Sequence, residues 1–114
     1  MNKGIKTVLY PVKDMSKAKA MFSKLLGVAP IADSAYYVGF KVGDQDIGLI
    51  PTGQNMEDGV TAFYGVDDIK KSLQALLDAG AKTVQTVKDV GGGRQVASVK
   101  DADGNLIGLV EDTK

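Results

Sequence analysis

The residues that most often do chemistry are the ones this sequence lacks. It contains no histidine and no cysteine, so imidazole bases, thiol nucleophiles, disulfides and metals held by nitrogen or sulfur are excluded together. Ser/His/Asp and Cys/His catalysis cannot occur in this chain, and any metal would need an oxygen-only site of the magnesium or calcium kind. What remains is a set of carboxylates and hydroxyls, four tyrosines, three phenylalanines and a single arginine, Arg94.

Three spacings invite a chemical reading. Asp101-x-Asp103-x-Asn105 imitates the opening of a calcium loop, yet Gly104 is out of place and Leu106 stands where that loop needs its glycine, so an ordinary turn is expected. Asp67-Asp68 offers paired carboxylates for acid-base work, but one of them is placed to cap a helix and the other to face solvent. Gly91-Gly92-Gly93-Arg94 has the composition of a phosphate loop, which must feed the N-terminus of a helix. A strand-like run follows instead, so a flexible connection is expected there, with Arg94 reaching the rim of a pocket.

These groups belong to a pattern that occurs twice. Residues 7–15 and 61–69 match, with Thr, Tyr, Val and Asp identical. Each stretch alternates as a strand does and ends in a capping aspartate, Asp14 or Asp68. Helical stripes follow: Met15, Ala18, Phe22 and Leu25 up to Gly27, then Ile69, Leu73, Leu76 and Leu77 up to Gly80. Both halves close on an Ile-Gly-Leu strand, 46–50 and 106–110, each after a turn, with strand-like runs at 36–42 and 95–99 ahead of them. Short second strands are expected at about 29–32 and 82–87. The chain therefore reads as one domain, 1–114, with module 1 at about 1–51, a linker at about 52–59 and module 2 at about 60–114.

Fourteen basic residues balance fourteen acidic ones, which removes the basic footprint of a nucleic-acid surface. An apolar content of 44% with 25% charged residues is that of a soluble globular domain. No apolar run reaches the length of a membrane span, and residues 1–5 lack the hydrophobic stretch of a secretory signal. The expectation is a cytoplasmic protein with no nucleic-acid or membrane partner.

A doubled β-α-β-β-β unit, a strand-Asp-helix opening in each half and the closing Asp101-x-Asp103-Gly104-Asn105-x-Ile107-x-Leu109 together resemble the glyoxalase, bleomycin-resistance and ring-cleaving dioxygenase superfamily, the vicinal oxygen chelate fold, over nearly the whole chain. The resemblance implies an α+β protein in which two tandem modules form a curved, half-barrel-like mixed sheet with helices on its outer face. In metal-using members the first strand of each module supplies one ligand, often His or Gln, and the last strand a Glu. The matching positions are Thr7 and Thr61, Gly48 and Gly108. A threonine hydroxyl is a poor divalent ligand and glycine offers no side chain, so neither a metal nor another cofactor is expected.

By strand alternation Tyr10 and Tyr64 fall beneath the helices with Val8, Val12, Ala62 and Val66, and the opposite parity lines the concave face. The expected ligand-binding set is Thr7, Leu9, Tyr37, Gly48, Ile50, Thr61, Phe63, Arg94, Leu106 and Gly108, with no catalytic residue assigned. Glycine in place of glutamate would leave an apolar cavity edged by threonine hydroxyls, suited to a small apolar or aromatic molecule. The first reading is thus a metal-independent small-molecule-binding protein, comparable to drug-sequestering members of the superfamily and acting by stoichiometric binding. The alternatives are a metal-free lyase or isomerase using carboxylates or a tyrosine, and a protein whose cavity is filled by its own side chains. Open sheet edges point to a homodimer, with the modules pairing within one chain or swapping across two.

Overall fold

Alternation, caps and turns resolve into ten elements among the residues described by the computed structural model, 2–51 and 59–112. They are β1 (Asn2–Val12), α1 (Met15–Leu26), β2 (Ala32–Asp33), β3 (Val38–Val42), β4 (Gln45–Pro51), β5 (Thr61–Val66), α2 (Ile69–Asp78), β6 (Lys82–Gly91), β7 (Arg94–Lys100) and β8 (Leu106–Asp112). The protein is α+β with mixed strand pairing, and each half is a β-α-β-β-β unit. The chain forms two units, 7–60 in one and 61–114 together with the residues up to Lys6 in the other. The linker expected at about 52–59 lies, except for Gly59, outside the described residues.

In the first unit the strands are ordered β2-β3-β4-β1, with β1 parallel to β4 and the other pairs antiparallel. Asp14 caps α1, its carboxylate accepting from the Lys17 N–H at 3.0 Å, and Gly27 ends the helix. One face of the strands meets α1 in a core of Phe22, Val38, Phe40 and Leu49, joined by Tyr10, Val12, Met15, Ala18, Leu26 and Ile47. Tyr10 lies beneath the helix, its ring centroid 4.9 Å from that of Phe22. Burying each of the large side chains contributes about 1.5–3 kcal/mol. The helical stripe ends on Leu26 rather than Leu25, which stands 70% exposed. The i, i+4 step from Phe22 keeps Leu26 over the core, whereas the i+3 step turns Leu25 outward.

Two strand boundaries differ from expectation in this unit. The short second strand is Ala32–Asp33 rather than 29–32, and the third begins at Val38 rather than Tyr36. The cause is Ser34, whose hydroxyl accepts from the N–H groups of Tyr36 and Tyr37 while its own N–H donates to the Tyr37 carbonyl at 3.0 Å. This side-chain turn competes with strand pairing for the same backbone groups.

The second unit repeats the pattern as β5-β8-β7-β6, with β5 parallel to β8. Asp68 caps α2 through the Lys71 N–H, and Glu111 reaches across from β8 to accept from the buried Ile69 N–H at 2.7 Å. Its core is Val66, Ile69, Ala97 and Leu109 with Leu73, Leu76 and Val87. Here β6 runs on to Gly91, beyond the expected 82–87. The segment expected to be a flexible connection is a two-residue hairpin turn: Gly91 pairs with Arg94, and Gly92 and Gly93 take φ of 65° and 79°. Two successive positive φ angles match the twist of a hairpin and favour glycine at both places.

Candidate functional site

The face of the first unit turned away from α1 is set by register. Leu9 lies opposite Gly48, and Gly48 opposite Gly39. Two facing glycines leave a bare strip of backbone, and Tyr37 covers it. A Cβ built on Gly39 would lie 2.7 Å from the Tyr37 ring, and one on Gly48 would lie 2.8 Å from that ring and 2.5 Å from a Leu9 methyl. The Ser34 turn fixes the backbone from which Tyr37 reaches this position, and the residue remains 36% exposed.

One row along the same face, Thr7 stands opposite Asp46, and Asp46 opposite Lys41, whose ammonium lies 3.5 Å from the carboxylate. The Thr7 hydroxyl is buried and has no hydrogen-bond partner among the described residues. One row the other way, Ile50 lies opposite Pro11, half-buried. Five of the ten expected site residues, Thr7, Leu9, Tyr37, Gly48 and Ile50, therefore share one face.

The second unit has the same device. Phe63 lies opposite Gly108, and a Cβ on Gly108 would overlap the Phe63 ring. Phe63 is 8% exposed and Thr61 2%. Leu106 precedes Gly108 by one row on the same face, opposite Lys100. Arg94 is elsewhere: Gly108 pairs with Ser98, four residues and about 13 Å along β7. Its guanidinium binds Asp112, Nε to Oδ1 at 2.8 Å and Nη2 to Oδ2 at 3.3 Å, instead of reaching the rim near Gly108.

These contacts correct one expectation directly. Gly48 and Gly108 do not open empty space, because Tyr37 with Leu9 and Phe63 occupy the positions a glutamate side chain would need. The other spacings are structural. Asp68 caps its helix while Asp67 pairs with Lys3 at 3.1 Å. Asp101 accepts from the N–H groups of Asp103 and Asn105 and from the Asn105 amide, an ordinary turn. Those bonds, the Asn105 side chain foremost, hold the Asp101 carboxyl below the ordinary carboxylate value. Among the described residues no three His, Cys, Asp or Glu side chains cluster as a metal site would require. Neither helix is long and apolar enough to cross a membrane.

Gly39 became legible as a partner of Gly48 only with the strand pairing, since nothing in sequence specifies which residues of β3 and β4 face each other. That Tyr37 would lie over both glycines depended further on the Ser34 turn.

Residues 4–109 match the family model described as Glyoxalase/Bleomycin resistance protein/Dioxygenase superfamily. Similar solved structures include a glyoxalase/bleomycin resistance protein/dioxygenase superfamily member from Vibrio splendidus 12B01, with 16% identity, a TM-score of 0.73, and 98% of this chain and 99% of that one covered. Methylmalonyl-CoA epimerase from Mycobacterium tuberculosis is 19% identical with a TM-score of 0.77, covering 99% of this chain and 90% of that one. The Mn(II)-bound glyoxalase from Novosphingobium aromaticivorans is 22% identical with a TM-score of 0.76, covering 98% of this chain and 40% of that one. At such identities the likeness is one of fold. No curated protein sequence matches the chain at a significant level.

Proposed function

The chain belongs to the Glyoxalase/Bleomycin resistance protein/Dioxygenase superfamily, and from that premise we propose that it is a small-molecule-binding protein, working without a transition metal, whose ligand is flat and aromatic or apolar. The observation that carries this reading is the aromatic ring lying on glycine at both places where the superfamily's metal-using members supply a carboxylate, Tyr37 at Gly48 and Phe63 at Gly108. The superfamily's metal does not fit these residues. Thr7 and Thr61 are weak ligands, and the two glycines bring rings rather than oxygen atoms.

Tyr37 supplies what a flat ligand needs. Its ring lies on two glycines and is still partly exposed, so a planar molecule can stack on it in offset or edge-to-face geometry, worth about 0.5–1.5 kcal/mol beyond the area buried. Leu9 and Ile50 extend the apolar surface. The Thr7 hydroxyl supplies one hydrogen bond to a polar atom on the ligand, worth about 0.5–1.5 kcal/mol. Thr61, Phe63, Leu106 and Gly108 form the corresponding surface of the second unit. The protein acts as a cytoplasmic homodimer in this reading, and the exposed Met21, Leu25 and Ile31 of the first unit provide apolar surface for a second copy to cover.

A thermal-shift panel of planar aromatic compounds, followed by calorimetric titration of any hit, tests the proposal. Binding should be saturable, and Tyr37→Ala should weaken it. Thr7→Val should raise the stability of the unliganded protein slightly, because it removes a buried unpaired hydroxyl, while lowering affinity for a hydrogen-bonding ligand. A panel without hits, or a hit whose affinity is unchanged in Tyr37→Ala, would overturn the assignment.

A further inference from the structure

One row along from Phe63 and Gly108, on the same face of the second unit, Gly65 lies opposite Val110 beside a cleft. The cleft has a volume of about 230 Å³ and is lined by Lys3, Lys6, Gly65, Val66, Val110 and Asp112.

Strand phase explains how two lysines three positions apart come to line one cleft. In a regular strand residues i and i+3 point to opposite faces. Gly4 breaks the phase: its φ is +83°, and its N–H donates to the Asn2 side chain at 2.7 Å. A Cβ built on Gly65 would consequently meet the Lys6 Cγ at 2.9 Å and the Lys3 Cβ at 3.3 Å. Both lysine stems lie over the bare backbone of one residue of β5, and any larger residue at position 65 would displace them.

The charges around the cleft are unequal. Asp112 is held by Arg94 through two hydrogen bonds, and Asp67 is held by Lys3. Lys6, half-buried, makes no ion pair among the described residues. Of the residues that line the cleft, Lys3 and Lys6 carry positive charge and Asp112 alone a negative one, which leaves one positive charge in excess beside Gly65 and the buried Val110.

We infer that this cleft binds a monoanionic organic acid, its carboxylate against the Lys6 ammonium with Lys3 alongside, and its apolar body over Gly65 and Val110. A single carboxylate neutralises the one excess charge, whereas a phosphate dianion would leave a negative charge close to Asp112. The site adjoins the Phe63–Gly108 surface of the proposed function but draws on none of its residues and none of the Tyr37 surface.

An amide-resolved NMR titration with benzoate tests the inference, with benzamide as the neutral counterpart of the same shape and inorganic phosphate as the anion without an apolar body. Benzoate should give saturable shifts at Gly65, Val66 and Val110, and the two comparison compounds should bind more weakly. Lys6→Gln should weaken benzoate roughly tenfold, Lys6→Arg should retain it, and Lys13→Gln, an exposed lysine of the other unit, should leave it unchanged. The amide spectrum of each variant shows directly that it has folded. Equal benzoate affinity in Lys6→Gln and the parent protein would overturn the inference. So would benzamide or phosphate binding as tightly as benzoate, or shifts that never saturate.

Discussion

At the scale of single residues, Gly48 and Gly108 show how the same sequence feature can mean opposite things. A glycine within a strand suggests empty space, but here each glycine is the floor on which a ring of the same chain rests. The two floors differ in tolerance. The ring above Gly48 belongs to a partly exposed tyrosine that can move aside, whereas the ring above Gly108 belongs to Phe63, 8% exposed and enclosed by its neighbours. Gly108→Ala should therefore destabilise the protein by about 2–3 kcal/mol and Gly48→Ala by about 1 kcal/mol, as overpacking of a closed and an open site would. Urea unfolding of both variants checks the order, and a larger loss for Gly48→Ala would show that Tyr37 is the more firmly held ring.

Elements are fixed by polar contacts at their ends. The first turn of α2 has two external acceptors, Asp68 for the Lys71 N–H and Glu111 for the Ile69 N–H, and the second ties the helix to β8. Glu111→Ala leaves a buried donor unpaired and should lower stability by about 1–2 kcal/mol, while Glu111→Gln, which keeps an acceptor oxygen, should lower it less; chemical denaturation of the two variants measures the difference.

The hairpin between β7 and β8 depends on Asp101 in the same way. Its carboxyl titrates below the ordinary value of 3.8, chiefly because the Asn105 amide and then the Asn105 N–H bond to the ionised form. A depressed folded value means that the stabilisation is complete above the unfolded value and is lost as pH falls through the folded one. Shifts of the Asp103 and Asn105 amides should accordingly change only below about pH 4, and Asn105→Ala should move that titration upward.

For the whole molecule, the absence of histidine and cysteine combines with the fold to give a sharp expectation about metals. A Mn(II)-bound glyoxalase shares the fold, whereas this chain has no histidine or cysteine and, among the described residues, no cluster of three metal-binding side chains. Exhaustive chelation should leave the melting temperature unchanged, and added manganese or zinc should not raise it, since a ligand stabilises a protein only by binding its folded state. A saturable rise in melting temperature with either ion, reversed by chelator, would reveal an oxygen-only site.

What the sequence determined by itself was everything that depends on local pattern. The duplicated strand-Asp-helix opening, the two capping aspartates, the Ile-Gly-Leu strands, the Asp-Gly-Asn turn and the placement of Tyr10 beneath α1 follow from alternation, helical periodicity and side-chain hydrogen bonding within a few residues. Tertiary structure decided what depends on which strands meet and in what register. The Gly39 and Gly48 floor exists only because β3 and β4 pair as they do, and Tyr37 lies on it only because Ser34 diverts the chain before β3. Arg94 was drawn to Asp112 by the β7–β8 register, and Lys3 and Lys6 share Gly65 because one positive φ at Gly4 interrupts a two-residue period. Each of these outcomes joins residues distant in the chain or turns on a single backbone angle, and neither leaves a mark in the pattern of residue types.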